Sequence, residues 1–359
     1  MIKVLQVIGS MNYGGIESVI MNFYSHIDRE QVQFDFISGP APGRFDKVAE
    51  SLGAHVYHLP VKSRHPLRYV KQLSKIVSEN GYDIVHSNTN SASAFLDLWA
   101  AKRGKCKCRI AHSHNSSCIV KWQHYLLKPF LPFVVTDRLA CSDAAAKWLF
   151  RKKDPYVILP NAIDFKKFDY DPQVRKTIRA ELGLDQDGQE FAIGHIGSFQ
   201  ERKNQKFLVS LMPEILKSIK NARLIFVGEG ETKQSVYELC TELNVADKVI
   251  FLGNRSDVEK VLQAFDVFAF PSQFEGMSVA YLEAACSGLP VVVSDTIPTA
   301  AIADNIFRLP LQKDLWIDKI LSFRNRERSS VLKSIADSEY NIDVAAEKLV
   351  DFYRSALKL

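Results

Sequence analysis

The chain has 359 residues, of which 47% are hydrophobic and 24% charged, a composition typical of a globular protein with about two domains of about 100–200 residues. It has no run of 18 uncharged apolar residues, no secretory signal pattern and no CxxC pair among its six cysteines. We therefore expect a cytoplasmic protein with reduced thiols, and exclude a membrane channel, a disulfide scaffold and a secreted hormone.

The net charge of +5 is unevenly distributed, with +10 on residues 1–168 and −5 on the remainder. Residues 99–153 alone hold 12 basic and 2 acidic side chains. Such an excess predicts contact with an anionic partner or a membrane surface. A solvated basic surface would give the same pattern, and the sequence leaves both interpretations open.

Short apolar runs alternate with longer, helix-compatible stretches along the whole chain. In the first half the predicted strands are Ile2–Ile8, Val32–Ser38, His55–Leu59, Asp83–Ser87, Arg109–Ser113, Asp137–Cys141 and Tyr156–Leu159. In the second half they are Phe191–Ile196, Arg223–Val227, Lys248–Leu252, Val267–Phe270 and Val291–Ser294. Many of these runs show little alternation, which is typical of parallel strands buried on both faces.

Two series of strand–helix–strand units predict an α/β protein of two doubly wound, Rossmann-like parallel-sheet domains that face each other across a cleft. The polar, proline-bounded segment 160–172 marks the boundary and gives domains at 1–165 and 166–339. The amphipathic segment Ile342–Leu357 predicts a C-terminal helix, within residues 340–359, that packs back on the first domain. Ligands of open parallel sheets bind at the carboxyl ends of the strands, so we expect the functional residues there.

A glycine-rich loop, Gly9-Ser-Met-Asn-Tyr-Gly-Gly15, follows the first predicted strand. Its position before a helix suits a phosphate, because glycines let the backbone approach closely and the free N–H groups attract an anion. The spacing is not GxGxxG and no acidic residue ends the second strand, which argues against a nicotinamide nucleotide. A tight turn that binds nothing is the alternative.

Two glutamates, Glu275 and Glu283, accompany an otherwise apolar predicted helix in the second half. Glu275 follows a predicted buried strand, and Gly276, Met277 and Ser278 lead into the helix, whose N-terminal amides would face an anion. A carboxylate is rarely buried without a partner. Glu283, the only charge inside this helix, is therefore expected to bind either vicinal ribose hydroxyls or a nearby lysine or backbone amide.

The spacing of Glu275 and Glu283 resembles the E-x7-E signature of the retaining glycosyltransferases of family 4, which have the GT-B fold and include enzymes of bacterial exopolysaccharide and capsule synthesis. Further matches follow in order: Gly14-Gly15, Asn115 after His114, Pro160-Asn-Ala-Ile-Asp164, Arg202-Lys203, Gly228-Glu-Gly230 and Gly288-Leu-Pro-Val-Val292. The resemblance runs from about residue 2 to residue 300. A lone glutamate pair is a weak signal, but the ordered set is specific.

The resemblance implies a role for each matched side chain of the second half. Arg202 and Lys203 would hold the pyrophosphate of a nucleotide-sugar donor, since the growing charge of a leaving diphosphate requires fixed cations. Glu283 would bind the ribose hydroxyls and Glu275 the donor sugar. Arg255 lies where the family's backbone meets the nucleobase. An exposed charged loop is the alternative for the basic pair.

The remaining implied contacts lie on loops. Gly15 would supply an amide near the phosphates, and the other expected donor-binding residues are Gly14, Gly276, Met277 and Ser278. His114 would line the sugar site from the first domain, although a structural histidine, hydrogen-bonded at a strand end, is the alternative.

Three departures from the family pattern leave the donor sugar open. Ser198 follows Gly197 where Arg or Lys is frequent, and Ala162 replaces the glycine of Pro-Asn-Gly. Met277-Ser278 stand where Phe-Pro is frequent. The expected class of enzyme is unchanged.

We expect no metal and no other cofactor. Asp169-Tyr-Asp171 and Asp185-Gln-Asp187 are D-x-D strings, but both lie in polar, loop-like stretches. His112 and His114 lack an accompanying carboxylate, which disfavours zinc. The basic pair and a helix terminus would take the place of a divalent ion.

The segment Lys121–Phe133 interleaves aromatic and basic side chains. It suits an anionic membrane surface and a lipid-linked acceptor, whereas a core helix is the alternative for Tyr125, Leu126 and Leu127. No nucleic-acid recognition motif occurs in the sequence.

The combined prediction is a cytoplasmic glycosyltransferase, peripheral on the inner face of the plasma membrane. It would move a sugar from a nucleotide-diphosphate donor of the UDP type to a hydroxyl of a lipid-linked or growing polysaccharide, with retention of configuration. A sugar-nucleotide epimerase, a phosphorylase and a non-catalytic nucleotide-sugar-binding subunit are the alternatives.

Overall fold

The computed structural model describes Met1 to Leu359 apart from Tyr13, Ile119, residues 185–188, Gly276, Met277 and residues 299–301. The chain forms two compact units. The first consists of Met1–Ile163 together with Glu339–Leu359, and the second of Asp164–Ser338. The boundary predicted from the sequence was residue 165.

In the first unit the described strands form a seven-stranded parallel sheet in the order β3-β2-β1-β4-β5-β6-β7. The strands are β1 Ile2–Val7, β2 Val32–Ser38, β3 Val56–His58, β4 Ile84–Thr89, β5 Cys108–Ser113, β6 Asp137–Ala140 and β7 Val157–Ile158. The helices are α1 Gly15–His26, α2 Asp46–Ser51, α3 Pro66–Asn80, α4 Ala94–Arg103, α5 Lys121–Leu127, α6 Asp143–Leu149 and, from the C-terminal segment, α15 Ile342–Leu357.

In the second unit the described strands form a six-stranded parallel sheet in the order β10-β9-β8-β11-β12-β13. The strands are β8 Phe191–Ile196, β9 Ala222–Val227, β10 Val249–Phe251, β11 Val267–Phe270, β12 Val291–Ser294 and β13 Ile306–Leu309. The helices are α7 Phe165–Phe168, α8 Pro172–Glu181, α9 Gln205–Ser218, α10 Lys233–Glu242, α11 Val258–Ala264, α12 Val279–Cys286, α13 Lys313–Leu321 and α14 Leu332–Ile335.

The strands with continuous apolar runs form where the sequence predicts them. β2, β8, β11 and β12 have the predicted bounds, and every residue of β11 and β12 is buried. The sequence prediction missed β13, because this edge strand is only partly buried and includes the exposed Arg308. The predicted class, two doubly wound parallel-sheet units, is confirmed.

The C-terminal helix α15 has the predicted bounds and belongs to the first unit. The backbone of Ile163, the last residue before the second unit, accepts from Ile342 N and donates to Tyr340 O, both at 3.0 Å. Asn341 caps the helix through its side chain, which accepts from Asp343 N. The chain therefore rejoins the first unit beside the point where it leaves it.

Two further findings bear on the expected class of protein. Among the described residues, no helix combines the length and the apolar composition required to cross a bilayer. All six cysteines are free thiols, and Cys118 is the single one that is not buried.

Candidate active site

The loops that follow β8 and β11 bring Arg202, Lys203 and Glu275 together in the second unit. β8 and β11 lie side by side in the middle of the sheet, and the strand order runs from them to β10 on one side and to β13 on the other. Such a position is a topological switch point, and open α/β sheets bind ligands there, at the carboxyl ends of the strands. Gln273 N donates to Arg202 O at 2.8 Å. This backbone hydrogen bond holds the two loops in register.

Glu275 balances the charge of the basic pair. Its Oε1 lies 2.7 Å from Arg202 Nη1 and 2.6 Å from Lys203 Nζ. Glu275 and Lys203 are both only 7% exposed, so water screens the pair weakly. Burial acts to raise the pKa of Glu275, but Lys203 and Arg202 outweigh it and hold that pKa below its ordinary value. The alternative of an exposed charged loop is wrong.

Glycines of the neighbouring loop keep the β8 loop in place. Gly228 and Gly230 have φ of +135° and +157°, and an added Cβ would lie 2.2 Å from Gly197 O and 2.3 Å from Phe199 O, respectively. Phe199 N donates to Glu229 O at 3.0 Å. The close approach requires residues without side chains, which explains the Gly-Glu-Gly sequence.

Glu283 lies on α12, the helix that follows the Glu275 loop. Its carboxylate forms no hydrogen bond or ion pair with any described residue, and burial raises its pKa to about 7. The nearby Lys167 is paired with Glu259, at 3.5 Å. The sequence left two kinds of partner open for Glu283, namely ribose hydroxyls or a lysine or backbone amide. Within the described part of the chain, neither a lysine nor a backbone amide binds its carboxylate, so ribose hydroxyls remain the expected partner.

The helix α12 begins after Ser278, whose side chain makes no capping hydrogen bond. The first turn carries no acidic residue, so the positive end of the helix dipole is not offset locally. Gly276 and Met277 lie outside the described residues, and their donor-binding role stays a prediction.

Arg255 uses its side chain within the second unit. Its guanidinium lies 2.7 Å from Asp257 Oδ2 and 2.8 Å from Glu181 Oε1. These pairs join the segment before α11 to the end of α8. A nucleobase contact would therefore involve the backbone at this position, and it stays a prediction.

In the first unit, Gly14 is the N-cap of α1 and Gly15 its first residue. A Cβ on Gly14 would lie 2.3 Å from Glu17 Oε2, whereas one on Gly15 would meet nothing within 4 Å. The half-buried Glu17 accepts a hydrogen bond from Ser10 Oγ at 3.0 Å, and burial raises its pKa. A carboxyl group thus lies at the helix end where the sequence predicts a phosphate contact, and only Gly15 leaves open space.

His114, at the end of β5, is 5% exposed. Its Nε2 lies 3.0 Å from Asn88 Oδ1 and its Nδ1 lies 3.3 Å from Asn161 Oδ1, so each ring nitrogen faces an amide oxygen. Burial lowers its pKa to about 4, so the ring is neutral at pH 7. The structure supports the structural alternative for His114 and leaves its contact with a sugar a prediction.

The carboxylates of the D-x-D string at Asp169 and Asp171 accept local backbone hydrogen bonds. Asp171 caps α8 by accepting from Gln173 N and Val174 N, and Asp169 accepts from Tyr170 N. The string at 185–187 lies outside the described residues. Elsewhere in the described chain, no group of three or more His, Cys, Asp or Glu side chains is arranged to hold a metal ion.

Sequence reasoning missed His195, which lies in β8 directly below the basic pair. The ring is fully buried, and its Nδ1 donates to Ala269 O at 2.9 Å, which leaves Nε2 as an acceptor without a partner in the described structure. A Cβ on Gly197 would lie 3.3 Å from this nitrogen. The sequence did contain a signal for this residue, namely a single histidine within an apolar predicted strand that is followed by Gly197.

Comparison with known proteins matches residues 13–167 to the family described as Glycosyltransferase Family 4 and residues 190–321 to the family described as Glycosyl transferases group 1. A relative named putative glycosyltransferase EpsF, from Bacillus subtilis (strain 168), is 32% identical over 312 residues, covering 82% of this chain and 79% of that protein.

Two further similar proteins carry names that include a UDP-sugar. The UDP-Gal:alpha-D-GlcNAc-diphosphoundecaprenol alpha-1,3-galactosyltransferase of Escherichia coli is 26% identical and covers 82% of this chain and 79% of its own. The crystal structure of Anabaena Alr3699/HepE in complex with UDP-glucose covers 100% of this chain and 98% of its own, with a TM-score of 0.78 and 19% identity.

These matches and the two doubly wound units define a glycosyltransferase of the GT-B type. The chain belongs to glycosyltransferase family 4, as the ordered motifs predicted.

Replacement of Glu275 by Gln should lower the free energy of unfolding by about 3–5 kcal/mol, because it leaves the buried Lys203 without its counter-charge. Urea denaturation at pH 7 measures this loss. Since the native pKa of Glu275 is depressed, the stabilisation is present above the unfolded-state pKa and is lost as the pH falls through the native pKa. The variant should lack that pH-dependent part.

The matched control is Glu229→Gln, which breaks the more exposed pair with Lys233 on the neighbouring loop. That pair should contribute about 0–1 kcal/mol. Equal losses in both variants would show that Glu275 does not stabilise a buried charge.

Proposed function

We propose that this glycosyltransferase transfers a sugar from a UDP-sugar to a hydroxyl of a lipid-linked or growing polysaccharide, with retention of anomeric configuration. The observation that carries the proposal is the cluster at the switch point of the second sheet. There two cations share one carboxylate. A second carboxylate, Glu283, lies on the helix α12 that follows this loop, and it forms no hydrogen bond or ion pair with any described residue.

The charge balance of this cluster favours a diphosphate. Arg202 and Lys203 bring two positive charges and Glu275 one negative charge, so an excess of positive charge faces an incoming anion. The adjacent start of α12 adds amide donors that its N-cap side chain does not satisfy. A leaving nucleoside diphosphate gains negative charge during transfer, and fixed cations stabilise that charge without reorganisation.

The free carboxylate of Glu283 favours a nucleoside. Vicinal ribose hydroxyls are two donors at the spacing of one carboxylate, and a charged acceptor makes hydrogen bonds of about 1.5–3 kcal/mol. The uridine nucleotide is proposed on the names of two similar proteins, the E. coli galactosyltransferase that uses UDP-Gal and the Anabaena protein bound to UDP-glucose.

The proposed reaction is a front-face displacement. The bond between the anomeric carbon and the β-phosphate oxygen breaks, and the acceptor oxygen bonds to the same face of that carbon. The acceptor proton passes to the departing phosphate oxygen, so no protein nucleophile is required. Glu275 would exchange one of its two cation contacts for a hydroxyl of the donor sugar, and the cation that it releases would turn to the pyrophosphate.

For the acceptor we propose a lipid-linked glycan at a membrane surface, met by the first unit. The α5 region exposes large apolar side chains, namely Trp122 at 71%, Tyr125 at 60%, Leu126 at 58%, Phe130 at 50% and Phe133 at 71%. The core interpretation of Tyr125 and Leu126 is therefore wrong. The buried member of this helix is His124, which stacks on Trp148 with ring centroids 4.1 Å apart. One side of the region is thus anchored and the other exposed.

A groove of about 410 Å³ adjoins this surface between α4 and the residues after α5. Phe95, Trp99, Phe130 and Phe133 line it, and Lys102 and Arg103 lie at its edge. Apolar side chains beside cations match the chemistry of acyl chains below anionic headgroups. The E. coli relative, whose name states a diphosphoundecaprenol acceptor, supports the lipid-linked class.

A thermal-shift panel of nucleotide sugars tests the donor. A true donor at about 100 times its dissociation constant should stabilise the protein by about 2.7 kcal/mol, and we expect UDP-sugars to do so. Glu283→Ala should weaken UDP binding about 10- to 150-fold, through loss of a charged hydrogen bond. Because burial brings the pKa of Glu283 to about 7, UDP affinity in the native protein should fall as the pH drops through that value.

Glu214→Ala, at an exposed position of α9 in the same unit, is the control and should leave UDP affinity unchanged. Unchanged affinity in Glu283→Ala would remove Glu283 from the site. Stabilisation by another nucleotide alone would overturn the choice of uridine.

Turnover of that donor should persist in excess EDTA, because the basic pair and the α12 terminus supply the positive charge that a divalent ion would otherwise bring. Asp171→Asn, which retains a capping side chain, should also keep its activity. An absolute requirement for Mn²⁺ or Mg²⁺ would contradict the proposal, as would loss of turnover in Asp171→Asn at full stability.

The double variant Trp122→Ser/Phe133→Ser should bind vesicles of phosphatidylglycerol and phosphatidylcholine at least about tenfold more weakly, since burial of a large apolar side chain contributes about 1.5–3 kcal/mol. Co-sedimentation measures the partition coefficient. Leu67→Ser is the control, because Leu67 is 77% exposed on α3 of the same unit. If the unmodified protein, the double variant and Leu67→Ser bound the vesicles equally well, the α5 region would be an ordinary solvated surface and the proposal would be wrong.

A further inference from the structure

A row of buried polar side chains runs beneath His114 from the sheet of the first unit to the C-terminal helix. His114 Nε2 lies 3.0 Å from Asn88 Oδ1, and Asn88 Nδ2 donates to Gln6 Oε1 at 2.8 Å. Gln6 Nε2 donates to the Tyr353 hydroxyl at 3.1 Å. Three strands and α15 are joined by this row.

The row continues from Tyr353 to two further histidines. The Tyr353 hydroxyl lies 2.7 Å from His86 Nδ1, and His86 Nε2 lies 3.2 Å from His112 Nδ1. The rings of His112 and His114 are in contact, with centroids 3.9 Å apart. The two ends of the row therefore meet, and its six members form a closed set: His114, Asn88, Gln6, Tyr353, His86 and His112.

The chemistry of the donors fixes the direction of every hydrogen bond. The amide nitrogen of Gln6 donates to the Tyr353 oxygen, so the single hydroxyl hydrogen of Tyr353 is free to donate to His86 Nδ1. His86 then carries its hydrogen on Nε2 and donates to His112. At the other end, the amide nitrogen of Asn88 is engaged by Gln6, so its oxygen accepts from His114 Nε2.

All five hydrogen bonds consequently point the same way, from His114 to His112. Every member is nearly inaccessible, with Tyr353 at 0% and Asn88 the most exposed at 7%. Burial lowers the pKa of His86 to about 3 and that of His114 to about 4, so both rings are neutral at pH 7. Each neutral ring carries its hydrogen on either Nδ1 or Nε2. In such an enclosed row each bond polarises the next.

We propose that Tyr353 is a positioning residue for His114, and that it sets which ring nitrogen of that histidine carries the hydrogen. The hydroxyl of Tyr353 is the one member in which a single atom both accepts and donates, because its oxygen accepts from Gln6 and its hydrogen is donated to His86. Through it, the half of the row that contains His114 has a defined direction, in which Nε2 carries the hydrogen and donates to Asn88 Oδ1. Nδ1 faces a second amide oxygen, Asn161 Oδ1, at 3.3 Å, and this oxygen competes for the single hydrogen of the neutral ring. This inference rests on the proposed role of His114 beside the donor sugar.

Through Tyr353, the C-terminal helix α15 thereby influences His114, although the two residues are far apart in the sequence. Tyr353 is held there by packing as well as by hydrogen bonds: its ring meets that of Phe34 edge-on, with centroids 6.2 Å apart. An aromatic ring so fixed can define the tautomer of its neighbours without contacting any substrate.

Tyr353→Phe tests the proposal, because it removes only the hydroxyl. We expect the His114 ring, observed by ¹H–¹⁵N correlation in histidine-labelled full-length protein at pH 7, to change from one Nε2–H tautomer to a mixture. With the sugar nucleotide that binds the chain, kcat should fall about five- to tenfold, the equivalent of one hydrogen bond, while KM for the donor changes less than twofold.

Tyr24→Phe is the matched control. Tyr24 is also fully buried in the first unit, and its hydroxyl also makes two hydrogen bonds, with Leu52 O and with the Gln33 side chain. It should cost a similar amount of stability and leave the His114 spectrum and kcat unchanged. If Tyr24→Phe alters the His114 tautomer equally, or if Tyr353→Phe leaves it unaltered, the proposal is overturned.

A second variant covers the case in which Tyr353→Phe does not fold. Gln6→Met breaks the row between Tyr353 and Asn88 and should produce the same spectrum at His114. Where both variants fold, their effects on kcat should not add, since they break one connection; additive effects would contradict the proposal. His114→Gln with full turnover would refute the role of His114 in transfer, yet leave the tautomer measurement valid, so the two failures are distinguishable.

Discussion

One carboxylate, Glu275, determines how the second unit can hold charge at the end of its sheet. Two cations on the β8 loop would repel each other and lose solvation if they were buried alone. Glu275 reaches them because β8 and β11 are neighbours, and the hydrogen bond between Gln273 and Arg202 keeps their loops together. The same arrangement leaves an excess of positive charge next to an uncapped helix, and the proposed donor site follows from that excess.

The sequence was sufficient for the architecture because buried parallel strands are continuous apolar runs. The predicted first and last residues of β8, β11 and β12 agree with the structure. The edge strand β13 was missed, because a partly exposed strand lacks a continuous apolar run. For the site, the resemblance to the family identified Glu275 and the basic pair but not their mutual contact. That contact depends on strand order, which a list of strands does not define. The pair of Arg255 with Glu181, at the end of α8, was likewise not predicted, because the two residues are 74 positions apart in the chain.

The side chains that sequence reasoning missed share one property: their partners are remote along the chain. Gln6 and Tyr353 are 347 positions apart, and His86 and Tyr353 are 267 apart. No local pattern distinguishes such a residue from an ordinary member of an amphipathic helix. The α5 region shows the converse case. Its apolar side chains fit a core helix as well as a surface. What decides between the two is that His124 is the buried residue of this helix, stacked on Trp148, whereas Trp122 and Tyr125 are exposed.

The meeting of Ile163 with Tyr340 and Ile342 has an evolutionary consequence. Residues 164–338 have the form of an insertion whose two ends are anchored within one hydrogen-bonded turn of each other on the host. Insertions with adjacent ends are tolerated because they strain neither fold. One recombination event would therefore exchange the whole segment that carries Arg202, Lys203 and Glu275, and with it the proposed donor site, while the first unit and its C-terminal helix stay intact.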